Sequence, residues 1–311
     1  MVAGYRAFAW LISHIQPAIP RAILGRGAQL SYLLWPGKRR WSNLNFGHVL
    51  GLPPSHPRVR RTALAAYRLY GQYVVELARL PMLARDHADE LVSGADLDGV
   101  HEIWANSKGG LIFTLGHLGN NEAVAAGVAS RGWPINVVAD DSSFPGLFEE
   151  FRRTREQWGV HVIPWRNLRE IYAVLRRREM LALLIDWGYR RDGIPVRLFD
   201  AWTTLPAGPA SLAAKTGSRI LPVTLHRKPD GQTFSISWAE PIEVASSDPA
   251  SLQRATQAMA DAFEAAVRAA PEQWYSFKPI WPADPSESTA LEARALAMLN
   301  GEPSSRAQES A

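Results

Sequence analysis

The chain has 311 residues, 47% hydrophobic and 21% charged, a balance that suits one large α/β domain with room for a helical addition. It contains no cysteine, which excludes a disulfide framework, cysteine-ligated zinc and a cysteine nucleophile, and fits a reducing compartment. The formal charge of +4 suits an anionic partner, and twelve tryptophans beside many arginines suit either a bilayer interface or ordinary core packing.

Two apolar stretches open the chain. The first runs from Tyr5 to Ile15 and is interrupted by Pro17 and Pro20; the second runs from Ala22 to Trp35 and contains Arg26. Neither reaches the roughly 18–20 apolar residues of a spanning helix. No small-residue cleavage site follows a clean apolar core, so a signal peptide is not expected. The expectation is an interfacial helical hairpin lying on a membrane, with a helix pair packed on the domain as the alternative. From Arg58 to Leu83 the apolar residues Val59, Ala63, Ala66, Tyr67, Tyr70, Val74, Leu77 and Leu80 recur at threes and fours, which predicts a long helix. Its polar face carries Arg58, Arg60, Arg61 and Arg68, a solvated face first and an anionic-lipid face second. Residues 84–108 are expected to bridge to the core through a short strand and a helix.

From Leu111 the pattern alternates between short apolar runs and helical periodicity, which predicts a mixed, partly parallel central sheet flanked by helices. Strands are expected at 111–115, 135–139, 160–163, 180–185, 220–225 and 234–238. Helices are expected at 121–130, 144–158, 167–177, 211–216 and 252–269. The chain so divides into an N-terminal helical arm (1–100), an α/β core (101–282) and a flexible polar tail (283–311) with at most one short helix near Ala290 to Leu299.

The strand Leu111 to Leu115 ends at Gly116 and delivers His117 to the carboxyl edge of the sheet, where ligands bind in open α/β folds. Asn120 or Asn121 can cap the next helix, and Glu122 falls in its first turn, where the helix dipole favours a negative charge. A carboxylate beside an imidazole can fix its tautomer and leave the other ring nitrogen as a base for a substrate hydroxyl. The same spacing also describes a loop histidine and a helix-capping glutamate that never meet. A second polar stretch, Asp186-Trp187-Gly188-Tyr189-Arg190-Arg191, follows another strand; Arg190 and Arg191 could hold a phosphate or could be ordinary surface arginines. Gly208 allows close backbone approach ahead of the helix expected at 211–216, whose free N–H groups could face an anion or oxyanion. There is no Gly-x-Ser-x-Gly elbow, Walker loop or His-Glu-x-x-His helix. The arginines are dispersed and no nucleic-acid motif accompanies them.

The block Gly116-His117-Leu118-Gly119-Asn120-Asn121-Glu122, a histidine, four residues and a carboxylate after an apolar strand, resembles the signature of the lysophospholipid acyltransferase superfamily. Its filling is similar to that of the lipid A biosynthesis acyltransferases and the phosphatidylinositol mannoside acyltransferases. Arg39-Arg40-Trp41-Ser42-Asn43-Leu44, the Pro206, Gly208, Leu212 and Ala213 pattern, Arg227 after a strand, and the block Pro271 to Pro282 with Trp274 and Trp281 resemble further blocks of that branch in the same order. The resemblance spans about 35–282. Two departures stand in the block Ile194 to Asp200: Asp200 replaces an expected glycine, and Pro195 stands where the mannoside enzymes tend to carry an acidic residue.

The resemblance implies an O-acyltransferase with His117 as general base and Glu122 as its orienting partner. Asp186, Arg190, Arg191, Gly208 and Arg227 become candidates for substrate binding or oxyanion stabilisation. The donor would be acyl-CoA or acyl carrier protein, the acceptor a membrane lipid, and the location the cytoplasmic face of the plasma membrane. No metal or bound cofactor is expected, because a thioester is already activated. A lysophospholipid or glycerol-phosphate acyltransferase, and a lipid-binding protein with a degenerate site, are the alternatives.

Overall fold

The computed structural model describes residues 2–82, 88–93, 97–141 and 144–301. Four helices lead: α1 (Val2–His14), α2 (Ala18–Leu34), α3 (Pro36–Leu50) and α4 (Pro57–Arg79). Pro36 and Pro57 each stand at the first helical position, where the missing N–H breaks no bond. Helix α4 forms with the expected periodicity and buries Val59, Ala63, Ala66, Tyr67, Val75 and Ala78. It crosses α2 at close range through Gly25 and Gly71; a Cβ on Gly71 would stand 2.3 Å from the Leu24 carbonyl oxygen. The hairpin of α1 and α2 is therefore packed on α4 by its inner face, with Ile12 and Tyr32 buried. Its outer face leaves Trp10, Ile23, Leu33, Leu34 and Trp35 in solvent. No described helix is long and apolar enough to cross a membrane.

The core follows as β1 (Val92–Ser93), α5 (Leu97–Ala105), β2 (Leu111–Leu115), α6 (Asn121–Ala129), β3 (Ile135–Ala139), α7 (Pro145–Gln157), β4 (His161–Pro164), α8 (Leu168–Arg176) and β5 (Met180–Leu184). A hairpin, β6 (Ile194–Leu198) and β7 (Ala201–Leu205), precedes α9 (Gly208–Thr216), β8 (Arg219–Arg227), β9 (Phe234–Trp238), α10 (Pro249–Ala269) and α11 (Pro285–Leu299). Seven described strands form one sheet in the order β1-β9-β8-β2-β5-β3-β4, parallel except where β8 meets β9. This is the mixed, partly parallel sheet that the alternating pattern predicts. One face packs Ile112, Leu181 and Ile220 with residues of α8, α9 and α10. The other packs Leu111, Ile135, Met180 and Leu221 with Val100 of α5 and Ala129 of α6.

Two segments differ from expectation. Residues 194–198 and the polar Thr-Thr stretch 201–205, neither among the expected strands, form β6 and β7, which pair antiparallel. Their two-residue turn places Phe199 (φ 48°) and Asp200 (φ 59°) in the left-handed region. A turn of this kind matches the twist of the flanking strands and tolerates Gly, Asn or Asp. Asp200 in place of glycine is thus compatible with the backbone, and Arg197 pairs with its carboxylate at 3.1 Å. The second difference is the expected tail. Residues 285–299 form α11, capped by Asp284, with Leu291 and Ala295 buried. It is fixed by a Glu287–Arg191 ion pair and by Arg294 donating to the Arg191 carbonyl at 2.7 Å. A sequence rich in Ser and Glu still makes a helix when every third or fourth residue is apolar and has a surface to pack on. The remainder of that tail, 302–311, lies outside the described residues.

Candidate active site

The site is set by strand register. Leu115 of β2 pairs with Leu184 of β5, and each strand runs on by two residues, to His117 and Asp186. The two side chains therefore stand side by side at the carboxyl edge. His117 Nδ1 lies 2.7 Å from Asp186 Oδ1, and the His117 backbone N–H donates to Oδ2 at 3.0 Å. The Trp274 indole N–H donates to the same Oδ2 at 2.8 Å from a fully buried ring. The Asp186 side chain is 1% exposed, whereas His117 keeps 36%. Burial raises the Asp186 pKa, but the His117 charge and hydrogen bonds together with the Trp274 N–H reverse this, so Asp186 stays below the usual carboxylate range. Burial lowers the His117 pKa; the Asp186 charge and hydrogen bond outweigh it and leave the imidazole above its ordinary value, with Lys278 pulling the other way. A carboxylate holding Nδ1–H makes Nε2 the basic nitrogen.

The turn beyond His117 is held tightly. Gly119 adopts φ +60°, and a Cβ there would stand 2.9 Å from the Leu225 carbonyl oxygen. The Tyr275 N–H donates to the His117 carbonyl at 2.9 Å. Asn120 caps α6 by accepting from Ala123 N–H at 3.0 Å, as the sequence suggests, while its amide donates to Glu76 of α4 at 2.9 Å.

Glu122 does not hold His117. It lies on α6 and accepts two hydrogen bonds from Arg155 of α7, at 2.6 and 2.7 Å, with both side chains mostly buried. It stands in the first turn of α6, beyond the turn 116–120, and its carboxylate points to the neighbouring helix. The carboxylate at the imidazole is Asp186. Three further candidates are engaged elsewhere. Arg227 is buried and donates to Glu76 at 2.6 and 2.8 Å, joining β8 to α4. Arg190 pairs with Asp192 at 2.9 Å and Arg191 with Glu287. Gly208 is exposed at the start of α9. None of these four lines a cavity that His117 lines, and neither does Pro195.

Two cavities meet at His117. One, of about 320 Å³, lies between the sheet face and α6, lined by Phe113, Leu115, Val128, Ile135, Val137, Val223 and Trp238, with Trp133 and Val100 at its far end. Its mouth carries His117, Asn121, Glu122, Arg155, Tyr73 and Trp187. From the level of Leu115 to that of Leu111, which Ile135 reaches through Met180, is four residues, or roughly 13 Å. The other, of about 250 Å³, is the more polar of the two and is lined by Lys38, Tyr70, Tyr275, Ser276 and Lys278 besides His117, Tyr73, Asn121, Asp186 and Trp187, with Leu118 and Phe277 among its apolar members. Trp187 stands edge-on to His117 at 5.7 Å, and the Lys278 ammonium lies 5.3 Å from the Trp187 ring centre. No group of three potential metal ligands occurs among the described residues. An aligned base between a long apolar slot and a basic, polar cleft can move a proton while one chain and one polar head group are held on either side.

Trp274, Tyr73, Arg155, Lys38 and Lys278 are the site residues that sequence reasoning did not single out. For Trp274 a signal existed in its Pro-x-x-Trp block.

Comparison with known proteins gives a family and relatives. The model of the bacterial lipid A biosynthesis acyltransferase family matches residues 5–282. A Mycolicibacterium smegmatis (strain ATCC 700084 / mc(2)155) protein named phosphatidylinositol mannoside acyltransferase is 28% identical over 293 residues, covering 91% of this chain and 92% of that protein. A protein of the same name from Mycobacterium tuberculosis (strain ATCC 25618 / H37Rv) is 30% identical over 264 residues, covering 80% of this chain and 79% of its own length.

Proposed function

As the chain belongs to the bacterial lipid A biosynthesis acyltransferase family, we propose that it transfers a fatty acyl group from a thioester donor to a hydroxyl of a membrane glycolipid. The names of its relatives make a phosphatidylinositol mannoside the first acceptor to test. The observation that carries this reading is the His117–Asp186–Trp274 chain of hydrogen bonds at the junction of an apolar and a polar cavity.

The steps follow from that arrangement. The acyl chain enters the apolar slot, which brings its thioester carbonyl to His117 at the mouth. The acceptor head group occupies the polar cleft. His117 Nε2 takes the hydroxyl proton as the oxygen attacks the carbonyl carbon. Asp186 holds the imidazole in the productive tautomer and stabilises its charged form, and Trp274 and the His117 backbone N–H keep Asp186 ionised. The tetrahedral intermediate bears an oxyanion, and the Lys278 ammonium and the Asn121 amide are the groups beside His117 that can stabilise it. Collapse breaks the carbon–sulfur bond, and the leaving thiolate takes the proton from His117. The residues used need no metal, and acyl-CoA or an acylated carrier protein serves as co-substrate.

Membrane association belongs to the same reading. The exposed apolar outer face of α1 and α2 would lie in the interface of the cytoplasmic leaflet, with the polar cleft open to lipid head groups. The test is thiol release from palmitoyl-CoA by purified protein, with and without a phosphatidylinositol mannoside fraction, with the lipid product identified by mass spectrometry. Acceptor-dependent release that falls by on the order of 10²–10⁴ in His117→Ala supports the mechanism. Release that persists in that variant refutes it. An acyl carrier protein arm decides the donor.

A further inference from the structure

Three exposed tryptophans each lie under a cation. Lys38 stands 5.2 Å from the Trp41 ring, Arg166 4.9 Å from Trp165, and Lys278 5.3 Å from Trp187. None of the three cations forms an ion pair among the described residues. They come from separate parts of the chain, yet the topology brings them to one edge. Trp187 follows β5, Phe144 follows β3, and Trp165 and Leu168 follow β4; these strands are neighbours in the sheet. The Trp165 N–H donates to the carbonyl of Ala139 at the end of β3, which joins the last two loops. Phe144 is 57% exposed, Trp165 48% and Leu168 60%. On the other flank, Lys38 of α3 lines the polar cleft together with His117, Trp187 and Lys278.

We infer that this carboxyl-edge rim, Phe144, Trp165, Arg166 and Leu168, is a second bilayer contact, so that the protein sits with the mouth of both cavities turned toward an anionic membrane. The inference rests on the proposed membrane acyltransferase, and it goes beyond an arm that merely tethers the chain. Trp rings with a basic group over them suit the head-group region, where the ring meets the apolar boundary and the cation meets lipid phosphate. Each cation near an anionic leaflet adds to the attraction. Val2 of α1 lies against Gly146, two residues from Phe144, where an added Cβ would stand 2.8 Å from it, so the rim continues the apolar surface of the arm toward the mouth and widens the contact with the bilayer.

The test uses the full chain and vesicles of phosphatidylcholine with 30% phosphatidylinositol, with brominated phosphatidylcholine as a depth quencher. Wild type, the triple variant Phe144→Ser/Trp165→Ser/Leu168→Ser, and an arm variant Ile23→Ser/Leu33→Ser are compared by co-sedimentation and tryptophan quenching. The three rim side chains line neither cavity, so transfer to a detergent-dispersed acceptor should be unchanged in the triple variant, which also shows that it is folded. The inference expects vesicle affinity to fall by about tenfold or more per rim side chain lost. It also expects Trp165→Phe to remove part of the quenching by brominated lipid. Wild-type affinity in the rim variant, with loss only in the arm variant, would overturn it. So would a change of oligomeric state in the rim variant without a change in vesicle binding, which would make the rim a contact between copies. Failure of wild type to bind any vesicle would refute membrane association itself, a different result from a silent rim.

Discussion

Replacing Asp186 by Asn keeps the shape of the side chain and changes what it can offer His117. Asp186 accepts three hydrogen bonds, two on Oδ2 from Trp274 and the His117 backbone, and one on Oδ1 at His117 Nδ1. An Asn side chain can keep the first two by placing its oxygen at Oδ2. Its NH₂ group then faces Nδ1 and donates to it, so the imidazole proton moves to Nε2. The nitrogen that faces the substrate is then no longer a base. Turning the amide over restores the tautomer but leaves two buried donors without an acceptor, at about 1–3 kcal/mol each. The first arrangement wins, and the fold survives with its base disabled. Loss of general-base action lowers kcat by on the order of 10²–10⁴, which is about 2.7–5.5 kcal/mol of barrier. Burial and Lys278 both lower the His117 pKa once the aspartate charge is gone. The active form is the neutral imidazole, so residual activity in Asp186→Asn should begin at lower pH than in wild type. The assay is acceptor-dependent thiol release across pH 5–9, with circular dichroism and thermal unfolding as the check on folding. Near-normal kcat in Asp186→Asn, together with collapse of kcat in Glu122→Gln, would refute the assignment and return the orienting role to Glu122.

Glu122→Gln itself should leave kcat within about tenfold and cost about 1–3 kcal/mol of stability, because it leaves a mostly buried Arg155 without its carboxylate; chemical unfolding and turnover measured on one preparation separate the two effects. Lys278→Gln removes a positive charge that lowers the His117 pKa, so the acid limb of kcat/KM should move to higher pH, opposite to Asp186→Asn. An unmoved limb would mean that the ammonium does not act on His117. Trp133→Ala opens the far end of the apolar slot. Competition between acyl-CoA donors of graded length should then shift toward longer chains, by about fourfold in kcat/KM for each methylene newly accommodated; an unchanged length profile would place the tail elsewhere.

The sheet was legible because its strands are short apolar runs with glycine or polar stops, and such runs have few other homes in a chain of this size. Met180 to Leu184 and Ile135 to Ala139 are of this kind. The hairpin strand at 201–205 was not legible, since Thr203 and Thr204 read as loop until β6 supplies them with a partner. Of helix α11 only the part near Ala290 to Leu299 was anticipated; its start at Pro285 and its packing were hidden by its composition. Only the groove offered by α10, β6 and β7 turns Leu291 and Ala295 into core residues.

His117 was legible by the same logic, as the residue placed at a strand's carboxyl end. Its partner was not, and the reason is topological. Glu122 is five residues away in sequence and Asp186 sixty-nine, so local spacing favours Glu122. Strand order decides otherwise. β5 inserts beside β2, and the pairing of Leu115 with Leu184 carries Asp186 to the level of His117. Sequence shows that both are strands but not that they are neighbours or in what register. The same limit applies to charge. Arg227, Arg190 and Arg191 look available to a substrate when their acids, Glu76, Asp192 and Glu287, cannot be assigned. Lys38 and Lys278 look ordinary until the fold brings them to one cleft, where each lies over a tryptophan ring and neither has an ion pair among the described residues. Candidate cations for a binding site are thus identified by subtraction: those with an ion pair among the described residues drop out, and the two that remain in the cleft with His117 are the ones to test for substrate contact.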